Sequence, residues 1–258
     1  MYHPFSITKT IATAWKVLKK NFVTLVVYSI VSLFVYEVVD FFNNFIFVDD
    51  NRWSQFVLIL VQMTVQAYIA LSFYKLILIL IDKEFYEFSF RDILPSFRMT
   101  LNFVIIALLY GVLIAVFLFV NLLVERYLGA QILFKILELL IILFLLLRSI
   151  FCVCFIVDDD SKPFESLSQS FAITKDNLFN TLAIFVIIIG IMIMVLIPVI
   201  VLINIFGLDR PGYGFIFKLS FYIWFLLTFP FVQVIIMVTY RKLVYSHLDV
   251  DDDINETV

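Results

Sequence analysis

Long stretches of this chain carry no charged residue at all. The longest covers residues 177–208, and residues 53–74, 99–124 and 219–240 form three more. A helix needs about 20 apolar residues to cross the hydrocarbon core of a bilayer, so each stretch predicts a spanning helix. The strands of a membrane barrel would instead alternate in polarity over about ten residues. The sequence therefore predicts an all-α, polytopic membrane helix bundle.

Two further stretches raise the predicted number of transmembrane helices to six. Residues 21–36 are uncharged, and residues 132–157 contain only three charged side chains. Composition agrees, because 64% of the residues are hydrophobic and 15% are charged, whereas a soluble domain has about 25% charged residues. This excludes a water-soluble globule and a disordered chain. We expect a single membrane domain, residues 1–246, followed by an acidic cytoplasmic tail, residues 247–258.

The distribution of lysine and arginine predicts the orientation. Cytoplasmic loops of membrane proteins are enriched in both residues. One side of the predicted bundle holds Lys9, Lys16, Lys19, Lys20, Lys83, Arg91, Arg98, Lys162, Lys175, Arg241 and Lys242. The other side holds Arg52, Arg126, Lys135, Arg210 and Lys218. Both termini are therefore predicted to be cytoplasmic, with the segment Phe41–Val48 interfacial or re-entrant at the outer surface.

The first apolar stretch does not read as a secretory signal peptide. It lacks a cleavage site of small residues and continues into a cluster of phenylalanines. We therefore expect a multi-pass protein of the bacterial inner (cytoplasmic) membrane.

An internal similarity divides the chain into three units. Residues 90–97 align without gaps on residues 164–171, and Pro4-Phe5 near the N-terminus corresponds to Pro163-Phe164. Each unit reads as an amphipathic helix followed by two spans. Because every unit begins on the same side, we expect a pseudo-threefold bundle rather than the inverted repeat of many transporters. The three units cover residues of about 4–81, 88–157 and 162–242.

Each unit begins with apolar residues at helical spacing, marked by Trp15, Phe97 and Phe171. Two interpretations stay open. The stripes form docking faces for a partner protein, or they belong to helices that lie in the headgroup layer and anchor the bundle; the second is favoured. The full stripes are Ile7, Ile11, Trp15, Leu18 and Phe22, then Phe90, Ile93, Phe97 and Leu101, then Phe164, Leu167, Phe171 and Leu178.

The segment Arg148–Leu182 combines an apolar span, an acidic turn, an amphipathic helix with a Thr-Lys step, and a further span. In this it resembles the membrane domain of bacterial glycerophosphodiester phosphodiesterases and YciC-type inner-membrane proteins. The matching positions are Ser166-Leu167, Ser170, Thr174-Lys175 and Asn177, with Ile11–Trp15 and Tyr240–Leu243 near the two ends. The resemblance implies the membrane fold. It does not imply phosphodiester hydrolysis, since we expect no soluble phosphodiesterase domain here.

Two cations interrupt the predicted spans near their cytoplasmic ends. The repeat places Lys75 and Arg148 at almost the same depth. An ionisable residue inside a membrane is a candidate for function. One interpretation is therefore a joint site for a lipid phosphate or a substrate anion between the helices. The other is that each long side chain extends to the inner headgroups, which is favoured for both residues and more strongly for Lys75.

Near the outer surface the charges have simpler interpretations. Lys135 and Glu138 are three residues apart, which favours a local ion pair, and Glu37 is expected to be solvated. Pro198 and Pro230 fall inside the last two spans. Such prolines open a hinge or binding site or simply kink the helix, and we expect kinks.

The inventory of reactive groups is small. Cys152 and Cys154 have no histidine or acidic ligands at zinc spacing. The triplet Asp158–Asp160 lacks the spacing and glycine of a calcium loop. Residues Asp158 to Ser161 are expected to supply the N-cap of the next helix. We expect no metal, no cofactor and no catalysis. With a net charge of −3, we also expect no nucleic acid partner.

Three functions remain open. The first is a non-catalytic scaffold or accessory subunit of a larger membrane complex, with membrane lipids and other membrane proteins as partners. The alternative is a transporter or permease of a small or anionic substrate, and the third is a lipid-binding or membrane-stress protein. With 31 Phe and six Gly, the helices have few small-residue contacts. Bulky packing suits a fixed bundle, which favours the scaffold.

Overall fold

The computed structural model describes residues 6–46, 52–82, 90–127, 131–175, 177–205 and 214–245, and this part of the chain consists of helices joined by short connections. The helices are α1 (Ile7–Lys20), α2 (Phe22–Ile46), α3 (Arg52–Asp82), α4 (Phe90–Ile93), α5 (Phe97–Tyr127), α6 (Gln131–Ser149), α7 (Cys152–Asp159), α8 (Pro163–Lys175), α9 (Leu178–Ile205) and α10 (Gly214–Val244). The segment Phe41–Val48 lies partly outside the described residues, as does the acidic tail.

Six helical stretches are long and apolar enough to cross a membrane, which confirms the predicted all-α architecture with six spans. They are Phe22–Phe42, Trp53–Asp82, Arg91–Val124, Phe134–Asp159, Leu178–Ile203 and Lys218–Val244. The fourth span is made of two helices, α6 and α7, in series. The cytoplasmic location of the termini stays a prediction.

The second span of each predicted unit is longer than a bilayer requires. Helices α3 and α10 have 31 residues each, or about 46 Å at 1.5 Å per residue, whereas the hydrocarbon core is about 30 Å thick. Roughly ten residues of each therefore extend beyond the hydrocarbon. Most of the largest fully buried side chains of the described chain lie near these ends and in residues 151–156 of the fourth span, namely Leu71, Phe73, Leu76, Ile77, Phe151, Ile156, Val234, Ile235, Met237 and Tyr240.

These extended ends form a juxtamembrane platform on the predicted cytoplasmic side. We define the platform as residues 71–82 of α3, residues 231–244 of α10, and the helices α1, α4, α7 and α8. Helix α1 packs on α10, α4 and α5 pack on α3, and α8 packs on α6 and α7. The first helix of each predicted unit thus packs on the last span of the unit before it, and α1 on α10 closes the ring. This cyclic arrangement is what a pseudo-threefold repeat would produce.

Helices α1 and α8 have small residues at their most buried positions. Thr10 and Ala14 are fully buried in α1, as are Ser166, Ser170 and Thr174 in α8. These positions correspond to one another when the two units are aligned with an offset of 156 residues. The buried Thr174 hydroxyl finds its hydrogen-bond acceptor on the preceding turn, where it donates to the Ser170 carbonyl at 2.7 Å.

Part of the predicted apolar stripe faces outward, whereas Ile7 of α1 and Leu167 of α8 pack against the core. Trp15 is 55% exposed and Phe164 is 68% exposed, while Leu18 alone of the α1 stripe is buried. In a bilayer, large apolar side chains lose nothing by facing lipid, and small residues allow helices to approach. These exposed faces fit helices that lie at the membrane surface.

The second unit begins differently from the other two. Its predicted amphipathic helix is divided, because α4 ends at Ile93 and α5 begins only at Phe97. Pro95 lacks a backbone N–H and disfavours helical geometry at the residue before it. Ser96 then caps α5, with its hydroxyl accepting from the Met99 N–H at 3.1 Å.

Aromatic side chains, rather than glycines, form the close contacts between the spans. The rings of Tyr28 and Phe73 stack at 5.0 Å, those of Phe73 and Phe229 at 5.2 Å, and those of Phe225 and Phe229 at 4.5 Å. This stack connects α2, α3 and α10, each pair being worth about 0.5–1.5 kcal/mol beyond simple burial. A Cβ atom added to Gly190 would meet no heavy atom within 4 Å, so that glycine is not a site of close helix packing.

Candidate functional site

The fourth span is interrupted at residues 150–151, and α8 supplies the groups that satisfy the interruption. The Ser170 hydroxyl donates to the Arg148 carbonyl at 2.7 Å and accepts from the Phe151 N–H at 3.3 Å. One turn earlier, the Ser166 hydroxyl and the Cys152 thiol share a hydrogen bond at 3.0 Å. Backbone groups freed by a helix break are expensive to leave without partners in a membrane. The small residues of α8 thus make the break stable.

Arg148 lies on the membrane side of this break, and its side chain contacts two aromatic rings. Its guanidinium carbon is 5.3 Å from the centre of the Phe171 ring and 5.9 Å from that of Phe144. Both distances suit cation–π contacts. The structure therefore brings together two residues that the sequence selected for separate reasons, Arg148 as an intramembrane cation and Phe171 as a stripe residue.

Lys75 has a different environment. Its ammonium group donates to the Leu94 carbonyl at 3.0 Å, and the Ser72 hydroxyl donates to the Ile93 carbonyl at 2.8 Å. Both groups therefore hold the carboxyl end of α4 against α3. Lys75 contacts a backbone carbonyl, whereas Arg148 contacts aromatic rings, so these contacts do not support an anion site shared by the two residues. They also do not support the interpretation that the Lys75 side chain extends to the headgroups.

The remaining candidates lie apart from one another. Trp15 packs edge-to-face on Phe231 of α10 at 5.5 Å, which ties α1 to the base of the platform. Phe97 is 77% exposed at the first residue of α5. Pro198 is exposed and Pro230 is buried, and each lies inside a helix that continues on both sides of it. Neither proline ends a span.

An ion cluster that sequence reasoning missed lies at the far end of the platform. Arg241 of α10 donates to the carboxylate of Asp82 in α3, and its guanidinium is 3.7 Å from the carboxylate of Asp158 in α7. The same Asp158 carboxylate accepts from the Tyr240 hydroxyl at 2.9 Å and from the Tyr245 hydroxyl at 3.2 Å. Burial and the Asp158 charge raise the pKa of Tyr245, which keeps this donor protonated.

The residues of this cluster were noted in the sequence but were given other roles. Arg241 counted toward the orientation and toward the family resemblance of residues 240–243, and Asp158 was expected to take part in capping α8. Instead Asp160 takes the left-handed conformation, with φ of 51°, and ends α7. Asp158 therefore lies inside α7, and its carboxylate faces α10. A sequence pattern could have predicted the cluster. It consists of acidic residues at the ends of two long spans and a Tyr-Arg pair at the end of a third.

Two expectations about the outer side were wrong. Glu37 is not simply solvated, because Lys218 of α10 donates to it at 2.7 Å and Tyr222 also donates to it. Glu138 accepts a hydrogen bond from Asn121 of α5 rather than pairing with the exposed Lys135. Polar groups at the membrane surface here connect neighbouring helices.

Within the described ranges, no three histidine, cysteine or acidic side chains are grouped as a metal site would require. Both cysteines are buried and unpaired by disulfide bonds. No family model, curated protein or solved structure matches the chain.

Proposed function

We propose that this integral membrane protein is a non-catalytic scaffold, an accessory subunit of a larger membrane complex. The observation that carries the proposal is the joining of three long spans at one point, where Arg241 of α10 meets Asp82 of α3 and Asp158 of α7. The Arg241 and Asp158 side chains are only 18% and 12% exposed, so solvent screens this part of the cluster little. Spans joined in this way resist sliding past one another, and a rigid bundle of this kind suits a scaffold subunit.

The interior supports the same proposal. The aromatic stack through Phe73 and Phe229 joins α3 to α10, and flat rings in contact leave little freedom for a rocking motion. The fold thus favours a fixed bundle over the alternating states that most transporters adopt.

A partner protein is expected to contact α1. The outward face of this helix exposes Trp15, Lys16 and Lys19, a combination of aromatic and basic side chains at the membrane surface. The buried face is already occupied by α10. An acidic segment of a neighbouring membrane protein is the partner that this charge favours.

Site-specific photo-crosslinking in intact membranes tests this function. A photoreactive residue that replaces the exposed Ala12 of α1 should give a discrete protein adduct, whereas one at the exposed Val112 in the middle of α5 should give lipid adducts. Mild detergent extraction should then recover the same partner. Recovery of the isolated chain alone, with no protein adduct from position 12, would contradict the proposal.

We further propose that the protein lies in a bacterial inner membrane with both termini in the cytoplasm. The excess of lysine and arginine on the side of the platform supports this orientation. A fluorescent protein fused after Val258 should fold and fluoresce, and alkaline phosphatase inserted near Asp209 should be active. The reverse pattern would invert the topology.

One observation favours a second candidate, a transporter. The fourth span is discontinuous beside Arg148, and broken helices often line transport sites. Uptake of small anions into proteoliposomes tests it, with Arg148→Ala as the comparison. Flux above that of empty liposomes, lost in the variant, would favour transport over the scaffold.

A further inference from the structure

Arg148 lies where the fourth span leaves the hydrocarbon. Helix α6 has 19 residues, or about 28 Å, which nearly equals the thickness of the hydrocarbon core. Arg148 is the last residue but one in that helix. The next helix, α7, is buried within the platform. The guanidinium group is therefore level with the inner headgroups.

Nearby elements offer this cation little negative charge. Within the described part of the chain, the contacts of its guanidinium are the two ring faces. Helix α9, which packs on α6, contains no charged residue. On α8, Glu165 is six residues before Phe171, or about 9 Å along the axis. A guanidinium has five N–H donors and no acceptor, and these donors need an anion or water.

The two rings that contact Arg148 lead to a second cation on α8 and to an apolar surface on α6. Lys175 follows Phe171 by four positions on α8, so the two share one face of that helix, and Lys175 is exposed. Phe144 precedes Arg148 by one turn toward the membrane centre and is half exposed. The two cations lie at the level of a phospholipid phosphate, and the exposed Phe144 ring lies closer to the membrane centre, at the level of the acyl chains.

We propose that Arg148 and Lys175 bind the phosphate of an anionic phospholipid in the inner leaflet. The planar guanidinium donates two parallel hydrogen bonds to phosphate oxygens, and Phe171 beneath it fixes its orientation. Lys175 adds a point charge, and an acyl chain lies along Phe144. The site is independent of the scaffold proposal, since it needs no partner protein and its test uses the isolated chain.

Binding of defined lipids to the purified, delipidated protein tests the site. Phosphatidylglycerol and phosphatidylcholine are titrated in detergent, with binding measured by native mass spectrometry. Loss of the charge-assisted hydrogen bonds in Arg148→Gln should weaken phosphatidylglycerol binding roughly tenfold. Lys135→Gln, which removes an exposed lysine near the other end of the same helix, should bind as the unmodified protein does. The phosphatidylglycerol affinity of Arg148→Lys should lie between those of Arg148→Gln and the unmodified protein, because lysine keeps the charge but lacks the planar guanidinium.

Further arms decide the alternatives. Inorganic phosphate should compete weakly, since it lacks acyl chains, and competition as strong as that of the lipid would overturn a lipid site. Equal lipid binding by Arg148→Gln and the unmodified protein would also overturn it. Should Arg148→Gln fail to fold, Lys175→Gln at the exposed end of α8 carries the test, with weaker phosphatidylglycerol binding expected and unchanged binding contradicting the proposal.

Discussion

Arg241 forms an ion pair with Asp82, although the two residues are 159 positions apart in the chain. They belong to the last span and the second span, and Asp158 of the fourth span lies on the other side of the same guanidinium. Three helix ends that are distant in sequence therefore share one charge. This contact explains why the spans continue well past the hydrocarbon, because the extra turns bring the three ends together.

The two carboxylates should contribute unequally to stability. The Asp158 side chain is 12% exposed and accepts from two tyrosines, whereas the Asp82 side chain is 42% exposed. We expect Asp158→Asn to lower the free energy of unfolding by about 2 kcal/mol or more, and Asp82→Asn by about 1 kcal/mol or less because solvent screens it. Unfolding in detergent measures both, with Lys16→Ala as the control. The opposite order would contradict the geometry.

Ser170 should matter far more than its neighbour Ser168 on the same helix. Ser170→Ala removes the group that bonds the Arg148 carbonyl and the Phe151 N–H, which should cost about 1–3 kcal/mol. Ser168 is exposed, so Ser168→Ala should change the stability by less than about 0.5 kcal/mol. Thermal unfolding of the two variants in one detergent compares them. Similar losses, or none in either, would show that the break in the fourth span does not need this hydroxyl.

Lys75 should control the order of the short helix α4. Lys75→Met keeps the length of the side chain but removes the donor to the Leu94 carbonyl, so the connection between α4 and α5 should open more often. Hydrogen exchange should speed up in residues 90–96 and stay unchanged in α8. If exchange in residues 90–96 did not change, Lys75 would have no such role.

Gly190 should tolerate a larger side chain. It lies within α9, and a Cβ atom there has room. In a helix interior, alanine is more stable than glycine by roughly 0.5–1 kcal/mol, so Gly190→Ala should raise the unfolding temperature. A transporter that bends α9 at this glycine would instead lose uptake in the variant, which makes the same substitution a test between the two functions.

The sequence was informative wherever local polarity decides the structure. Long uncharged stretches such as residues 177–208 predicted spans, since a helix in a bilayer forms from its own backbone hydrogen bonds and needs only apolar length. The periodicity of α1 and α8 also predicted helices, although the most buried positions of both are small residues that lie outside the apolar stripes. Water distinguishes an apolar face from a polar one, whereas lipid accepts Trp15 as readily as the bundle would.

The partners of the polar residues were decided by tertiary structure alone. Arg148 and Phe171 were both selected from the sequence, yet nothing in it placed the ring under the guanidinium. Asp158 looked like a helix cap, yet it lies inside α7, and its carboxylate contacts Tyr240 and Arg241 of α10. A hydrogen bond or ion pair depends on distances of a few ångströms between remote segments. Apolar length and periodicity, which act locally, contain no such information.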